Sequence, residues 1–146
     1  MYSGLPTISV IIPCLNSESS IRIAVDSILK QSFDDLEILV IDGGSNDSTI
    51  SLIEKLGDFR IKIFEFPGSG IYDAMNKGIK LARGKWLYFM GSDDVVFDNQ
   101  VFSDIVKFIS TGKYDFVYGN VAISGEVPWA KGASIYGGSF NLYRIL

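Results

Sequence analysis

Lys85-Trp86-Leu87-Tyr88-Phe89-Met90-Gly91-Ser92-Asp93-Asp94 is a short apolar run that stops abruptly at two adjacent carboxylates. Trp86 to Met90 is bounded by Gly84 and Gly91, a pattern that fits a strand buried on both faces, as in a parallel sheet. In open α/β sheets, ligands bind beyond the carboxyl ends of the strands. Two acidic side chains there repel one another unless a cation or a ligand hydroxyl occupies the gap. A hard divalent ion, Mg²⁺ or Mn²⁺, bridged to a phosphate suits such oxygen ligands. Read alone, Ser92-Asp93-Asp94 is equally a polar turn with helix-capping capacity, so the rest of the chain decides.

Outward from this stretch, the pattern of apolar strand and polar loop recurs. Residues 8–13 read as a first strand, ended by Pro13 because proline removes a ladder donor. After the loop 14–18, Ile21, Ala24, Val25, Ile28 and Leu29 form one helical stripe, with Ser17, Ser19 and Ser20 offering N-caps. Residues 36–41 read as a second buried strand, running into Asp42-Gly43-Gly44-Ser45-Asn46-Asp47-Ser48-Thr49. The helix that follows is lined by Ile50, Ile53 and Leu56 and ended by Gly57. Residues 60–66 read as a third strand, broken by Pro67-Gly68-Ser69-Gly70.

A third helix spans about residues 71–82, with an apolar stripe of Ile71, Met75, Ile79 and Ala82 and an opposite face of Asp73, Asn76, Lys77 and Lys80. After Asp94, a helix over residues 100–110 turns Val101, Ile105, Val106 and Ile109 inward, and residues 114–118 read as a fifth strand. Residues 119–126 look like a strand and turn, and the apolar end from Phe140 to Leu146 reads as an element begun and not finished. The order βαβαβαβ, then αβ, implies a mostly parallel sheet with helices on both faces, the Rossmann-like α/β class. Right-handed crossovers then place the loops 13–18, 42–47, 67–70 and 91–94 along one rim. Residues 1–118 form the core in this reading, and residues 119–146 the incomplete start of a second part.

Composition narrows the functions available. The chain of 146 residues is long enough for one domain with a real core. It contains no histidine, so Ser-His-Asp and Cys-His catalysis and His-ligated zinc are not available within it. The net charge of −4 argues against nucleic acid, whose phosphates call for clustered Lys and Arg. No apolar run approaches the roughly 20 residues of a membrane span. The start lacks the pattern of a signal peptide, and Cys14, the single cysteine, cannot form an internal disulfide. A cytoplasmic setting, with the inner face of the membrane as a second location, is the expectation.

Common nucleotide motifs fail. There is no Gly-x-x-x-x-Gly-Lys-Ser/Thr, and the glycines of Gly68-Ser69-Gly70 follow the third strand with Asp73 at the third fingerprint position. A flavodoxin-like receiver domain carries its acids after the first strand, where this chain has Pro13-Cys14-Leu15-Asn16. The rim loops instead repeat carboxylates and amides: Asn16, Glu18, Asp42, Asp93 and Asp94. Such groups accept hydrogen bonds from ribose hydroxyls or a base N–H, and one or two hold a metal. Each also has a plain structural role open to it. Asp42 and Asp47 can cap a helix, Asn16 and Glu18 suit a turn and a first helical turn, and the Asp73, Asn76, Lys77, Lys80 face can be merely solvated.

Ile8-Ser9-Val10-Ile11-Ile12-Pro13-Cys14-Leu15-Asn16-Ser17-Glu18 resembles the opening of family 2 glycosyltransferases. Residues 40–49 resemble their second-strand motif. Residues 70–79, with Ala82-Arg83-Gly84, resemble their third block, and Ser92-Asp93-Asp94 resembles their Asp-x-Asp-type metal motif. Four motifs in the family's order cover residues 7–98. The resemblance implies a GT-A fold, a nucleotide-diphospho-sugar donor such as a UDP-sugar, Mn²⁺ or Mg²⁺, and an inverting transfer to a saccharide or lipid-linked acceptor.

By that resemblance, Asp42 binds the nucleobase, Asp93 contacts ribose and Asp94 holds the metal. Pro13, Leu15, Asn16 and Glu18 line the nucleoside pocket, and Gly70, Asp73, Asn76, Lys77 and Ser92 complete the donor site. Two departures stand out. Phe66-Pro67-Gly68 replaces the family's frequent Glu-Pro-Asp, and beyond Asp115 the one carboxylate is Glu126, a weak candidate for the catalytic base. The second reading is therefore a non-catalytic nucleotide-sugar-binding or regulatory module. A homodimer is left open.

Overall fold

The computed structural model describes residues 4–123 together with the backbone of residues 135 and 136. The elements run β1 (Ile8–Cys14), α1 (Ile21–Leu29), β2 (Leu36–Asp42), α2 (Thr49–Glu54), β3 (Ile61–Glu65), α3 (Ile71–Leu81), β4 (Trp86–Phe89), α4 (Val101–Ser110), β5 (Val121–Ala122) and β6 (Ile135–Tyr136). The chain divides into two compact units, Met1–Ile105 and Val106–Leu146. No helix among the described residues is long and apolar enough to cross a membrane.

The first unit holds a four-stranded parallel sheet in the order β3-β2-β1-β4. The chain moves outward from β1 to β3 and then returns to the other side of β1. This reversal makes β1 and β4 the switch point of the sheet, where the crevice for a ligand opens beyond the strand ends. Right-handed crossovers place α3, which spans the return, on the face opposite α1 and α2. β1 and β2 are buried along their whole length, as befits central parallel strands of Ile, Val and Leu. On the α3 face, Ile11, Leu39, Ile41 and Ala74 form a buried cluster, with Phe64, Phe66, Leu81 and Ala82 packed against it.

Pro13 does not end β1: it lies inside the strand, opposite Ile41 of β2. In a parallel strand, alternate residues turn their backbone groups to alternate neighbours. Met90 donates its amide to the Ile11 carbonyl (3.1 Å), so Ile11, and with it Pro13, faces the β4 side. β4 has already ended at Phe89, opposite Ile11, and the missing proline N–H costs no ladder bond.

Burial on both faces, expected for β4, is also not found. Leu87 is 38% exposed and Phe89 44%, alternating with half-buried Trp86 and Tyr88. β4 ends the sheet, and α3 lies over β1 and β2. Tyr88 instead meets Phe102 of α4 edge to face at 5.0 Å, and Phe102 is completely buried. The α4 stripe read from Val101 and Ile105 omitted this ring.

α3 turns a different face inward from the one its apolar spacing suggested. Its buried residues are Ala74 and Gly78, while Ile71 is 56% and Ile79 43% exposed. A methyl on Gly78 would lie 2.5 Å from Ile11 Cγ2, so the helix backbone rests almost directly on β1. Small residues decide the packing where backbones approach this closely, and the larger Ile stripe is displaced sideways. At the strand starts, Glu37 pins the end of α3. It accepts from the Ser9 hydroxyl (2.7 Å), Lys62 Nζ (2.7 Å), the Arg83 amide (2.8 Å) and the Arg83 guanidinium (3.2 Å). Gly84 completes the pin by donating its amide to Ser9 Oγ (2.8 Å).

In the second unit, residues 114–118 are irregular rather than a fifth strand. Their alternating aromatics carry strand propensity, but a strand exists only with a paired neighbour. Phe108 and Tyr114 stack with centroids 4.8 Å apart. β5 and β6 form a two-residue antiparallel pair, Val121 opposite Tyr136 and Ala122 opposite Ile135. Glu126 and the apolar end from Phe140 to Leu146 lie outside the described residues.

Candidate functional site

The carboxyl ends of the four strands carry the loops singled out in the sequence. β1 passes into the first loop after Cys14, and β2 ends at the same register position, at Asp42 opposite Cys14. Cross-loop hydrogen bonds hold these two loops together. The Asn16 amide donates to Ser45 Oγ (2.8 Å), and the Asn46 amide to Asn16 Oδ1 (2.9 Å). The Ser17 amide donates to Thr49 Oγ1 (2.7 Å), the Glu18 amide to Asp47 Oδ2 (3.1 Å), and the Ser48 amide to Glu18 Oε2 (2.9 Å). The Gly43 amide adds a bond to the Cys14 carbonyl (2.9 Å). Asn16 sits at φ 50°, a left-handed conformation that asparagine tolerates. Asn16, Glu18 and Asp47 thus act first as ties between loops, a role invisible to any local sequence pattern.

Asp42 is wholly buried. Its Oδ2 accepts the amides of Gly44 (2.8 Å) and Ser45 (2.8 Å), and its Oδ1 accepts the Ser45 hydroxyl and the Cys14 thiol (3.5 Å). Burial on its own would raise the Asp42 pKa, but the Ser45 and Gly44 donors outweigh it and the net shift is downward. Burial, with the charge of Asp42 beside it, pushes the Cys14 thiol up to about 12. Asp47 is likewise lowered: the Thr49 hydroxyl and amide outweigh its desolvation.

The third loop reaches the same point. Phe66 donates its amide to the Asp42 carbonyl (2.7 Å) and Gly68 to the Gly43 carbonyl (2.9 Å). A methyl on Gly43 would lie 3.0 Å from the Ser69 carbonyl oxygen and 3.7 Å from Leu15 Cβ, so this glycine is where three loops touch. Leu15 is 54% exposed beside it. Gly70, in an extended conformation, precedes the first turn of α3. Lys77 Nζ lies 4.6 Å over the Phe66 ring and donates to Ser69 Oγ and to Asp73 Oδ2 (2.8 Å). That ammonium, with the Ser69 hydroxyl, holds the Asp73 carboxyl below its usual range. Asn76 is exposed on the same helix.

Beyond β4, Gly91 donates its amide to Asp94 Oδ2 (2.9 Å), and the Asp94 amide returns a bond to the Gly91 carbonyl (3.2 Å). A methyl on Gly91 would lie 2.8 Å from Asp94 Oδ2 and 2.9 Å from Asp93 Oδ1, so both carboxylates fold over one backbone atom. Both residues are exposed, and neither forms an ion pair among the described residues. Ser92 Oγ lies 2.9 Å from Ser17 Oγ. Ser17, weighed in the sequence only as a cap, is therefore the residue that joins the first loop to the acidic one.

This donor set fits a hard divalent cation. No group of three His, Cys, Asp or Glu side chains gathers among the described residues, but Mg²⁺ is commonly held by one or two carboxylates plus waters and substrate phosphates. Two cavities, of about 350 Å³ against α1 and about 250 Å³ at the opposite rim, are lined by neither Asp42 nor the Asp93–Asp94 pair. The candidate site is an open rim.

Comparisons with known proteins bear on the family and the fold. The family model described as "Glycosyl transferase family 2" matches residues 9–143. A PGL/p-HBAD biosynthesis glycosyltransferase of Mycobacterium bovis is 37% identical over 147 residues, covering 97% of this chain and 54% of the relative. The chain thus spans about half the length of the curated relatives it matches. The crystal structure of S. aureus TarS residues 1–349 in complex with UDP-GlcNAc matches with a TM-score of 0.67 and 30% identity, over 72% of this chain and 31% of that one. A mannosyltransferase of Pyrobaculum calidifontis, solved with GDP-Man and Mn²⁺, matches in fold, with a TM-score of 0.63 and 23% identity over 85% of this chain and 37% of that one. On the family model, the relatives and the GT-A-type sheet together, the chain belongs to glycosyl transferase family 2.

Proposed function

We propose that this chain forms the donor-binding half of an inverting glycosyltransferase that takes its sugar from a nucleotide-diphospho-sugar, a UDP-sugar in the first instance. The observation that carries this reading is the presence of Asp42 and the Asp93–Asp94 pair at one rim of the sheet, on either side of β1. Family membership and the UDP-GlcNAc complex of TarS support it. The tied first and second loops offer a preformed wall for the nucleoside, with Pro13, Leu15 and Asp42 at its base. Gly70, Asp73, Asn76 and Lys77 border the third loop.

Asp94, with Asp93 beside it, would hold Mn²⁺ or Mg²⁺, which when bound supplies neutralisation of the diphosphate charge. The acceptor hydroxyl of a saccharide or lipid-linked substrate then forms the new bond to the anomeric carbon as the bond to the diphosphate breaks. The hydroxyl proton passes to a carboxylate base, a step generally worth about 10²–10⁴-fold in rate. Calorimetric titration with UDP, with and without Mn²⁺, tests the donor site. Tighter binding in the presence of metal is expected, and affinity that is absent or indifferent to metal overturns the assignment.

A further inference from the structure

We infer that Ser17 is a positioning residue for the acidic loop: its hydroxyl holds Ser92, and through Ser92 it sets the register of Asp93 and Asp94 against the nucleoside wall. The inference rests on the donor-site reading above and deepens it. Among the described residues, hydrogen bonds of residues 91–95 run within the loop, between Gly91 and Asp94, apart from Ser17 Oγ to Ser92 Oγ at 2.9 Å. The bond therefore spans the switch point, joining the loop after β1 to the loop after β4 across the crevice. Anchorage resumes at the Val96 amide, which donates to Ser27 Oγ (3.1 Å).

Ser17 is suited to be the fixed end. It is 7% exposed. Its amide donates to Thr49 Oγ1 (2.7 Å), and its carbonyl accepts the amides of Ser20 (3.0 Å) and Ile21 (2.9 Å) where α1 begins. Its neighbours Asn16 and Glu18 are tied to the second loop on either side. The backbone of Ser17 is thus held by Thr49 of α2 and by the start of α1, and its hydroxyl, which also donates to the Leu15 carbonyl (3.4 Å), is the group that reaches across. Ser92, by contrast, begins a turn whose two exposed carboxylates repel one another. The Gly91–Asp94 bonds close this turn on itself, and the hydroxyl bond is what ties the closed turn to the first loop.

A restraint of this kind acts most on binding that needs the acidic pair and less on binding at the first two loops. Net hydrogen-bond strength translates into a change of about two- to tenfold. The experiment measures the affinity of UDP with Mn²⁺ and of uridine without metal, on the whole chain, for the unaltered protein, Ser17→Ala, Ser17→Thr, Ser92→Ala and the double alanine variant. Amide exchange of residues 91–95 is followed alongside. Ser17→Ala is expected to weaken UDP with Mn²⁺ by about two- to tenfold, to weaken uridine, which lacks the diphosphate, by less, and to speed exchange of residues 91–95. Ser17→Thr restores both, and the double variant is no weaker than either single one.

Equal losses for UDP and uridine, additive effects of the two alanines, or unchanged exchange in Ser17→Ala each overturn the inference. If the unaltered chain binds UDP without regard to Mn²⁺, the donor reading falls and this inference with it. If the metal dependence is present and Ser17→Ala is silent, this inference alone falls.

Discussion

Gly78 of α3 lies so close to Ile11 of β1 that an added methyl would stand 2.5 Å from Ile11 Cγ2 and 3.3 Å from its Cγ1. The contact is at the centre of the sheet, where Ile11 is wholly buried. In an exposed helix, replacing Gly by Ala stabilises by about 1 kcal/mol. Here overpacking, at about 1–3 kcal/mol, acts against that gain. Gly78→Ala is therefore expected to lower the urea midpoint without changing the slope of unfolding, and an unchanged or raised midpoint would sink the packing account.

Glu37 is 3% exposed and its folded pKa is lowered to about 2; burial favours the neutral form, but bonds from Lys62, Ser9 and Arg83 outweigh it. A depressed carboxylate adds stability above its unfolded pKa, near 4.5, and that stability is lost as pH falls towards 2. Glu37→Gln is expected to cost about 1.5–3 kcal/mol at neutral pH, from hydrogen bonds to a charged group, at the lower end because Lys62 and Arg83 keep solvent access. Thermal melts of the two proteins should converge between pH 4.5 and 2. A difference that is constant over that interval would exclude this role.

Asp93 and Asp94 face solvent without a cationic partner among the described residues. Removing one charge from such a pair relieves repulsion, an effect of under about 1 kcal/mol at an exposed site. Asp94→Asn is expected to leave the melting temperature of the unliganded chain unchanged or slightly raised while abolishing the Mn²⁺-dependent part of UDP binding. A marked loss of stability would make the residue structural instead.

Cys14 combines burial with a thiol pushed up to about 12, burial being the leading cause and Asp42 the next. The thiolate, which is the reactive form, is scarce at neutral pH. Labelling by iodoacetamide at pH 8 should be slow in the folded chain and should rise with the unfolded fraction in urea. Rapid labelling without denaturant would contradict the buried, hydrogen-bonded placement.

The alternation of strands and helices, the rim loops and their order were legible because each rests on local pattern: apolar runs, glycine clusters and acids at strand ends. The misses share a cause. Pro13 ended the strand on propensity alone, whereas its place depends on how far β4 extends. Ile71 and Ile79 looked like the inner stripe of α3 by spacing, but the distance to β1 selects Ala74 and Gly78. Ser17 reads as a helix cap and Ser45 and Thr49 as ordinary polar residues, since their partners lie 29, 32 and 75 positions away in sequence. Phe102 was passed over because its place is fixed by Tyr88 rather than by its own helix.

The bonds that join Asn16, Ser17 and Glu18 to Ser45, Thr49 and Asp47 carry a consequence for redesign. Each side supplies donors whose acceptors are on the other, so neither segment is an independent module. Transplanting residues 14–18 alone from a homologue with a different donor preference would leave the recipient half mismatched. A chimera that carries residues 14–18 and 42–49 from the same parent keeps the donors and acceptors of these two segments together.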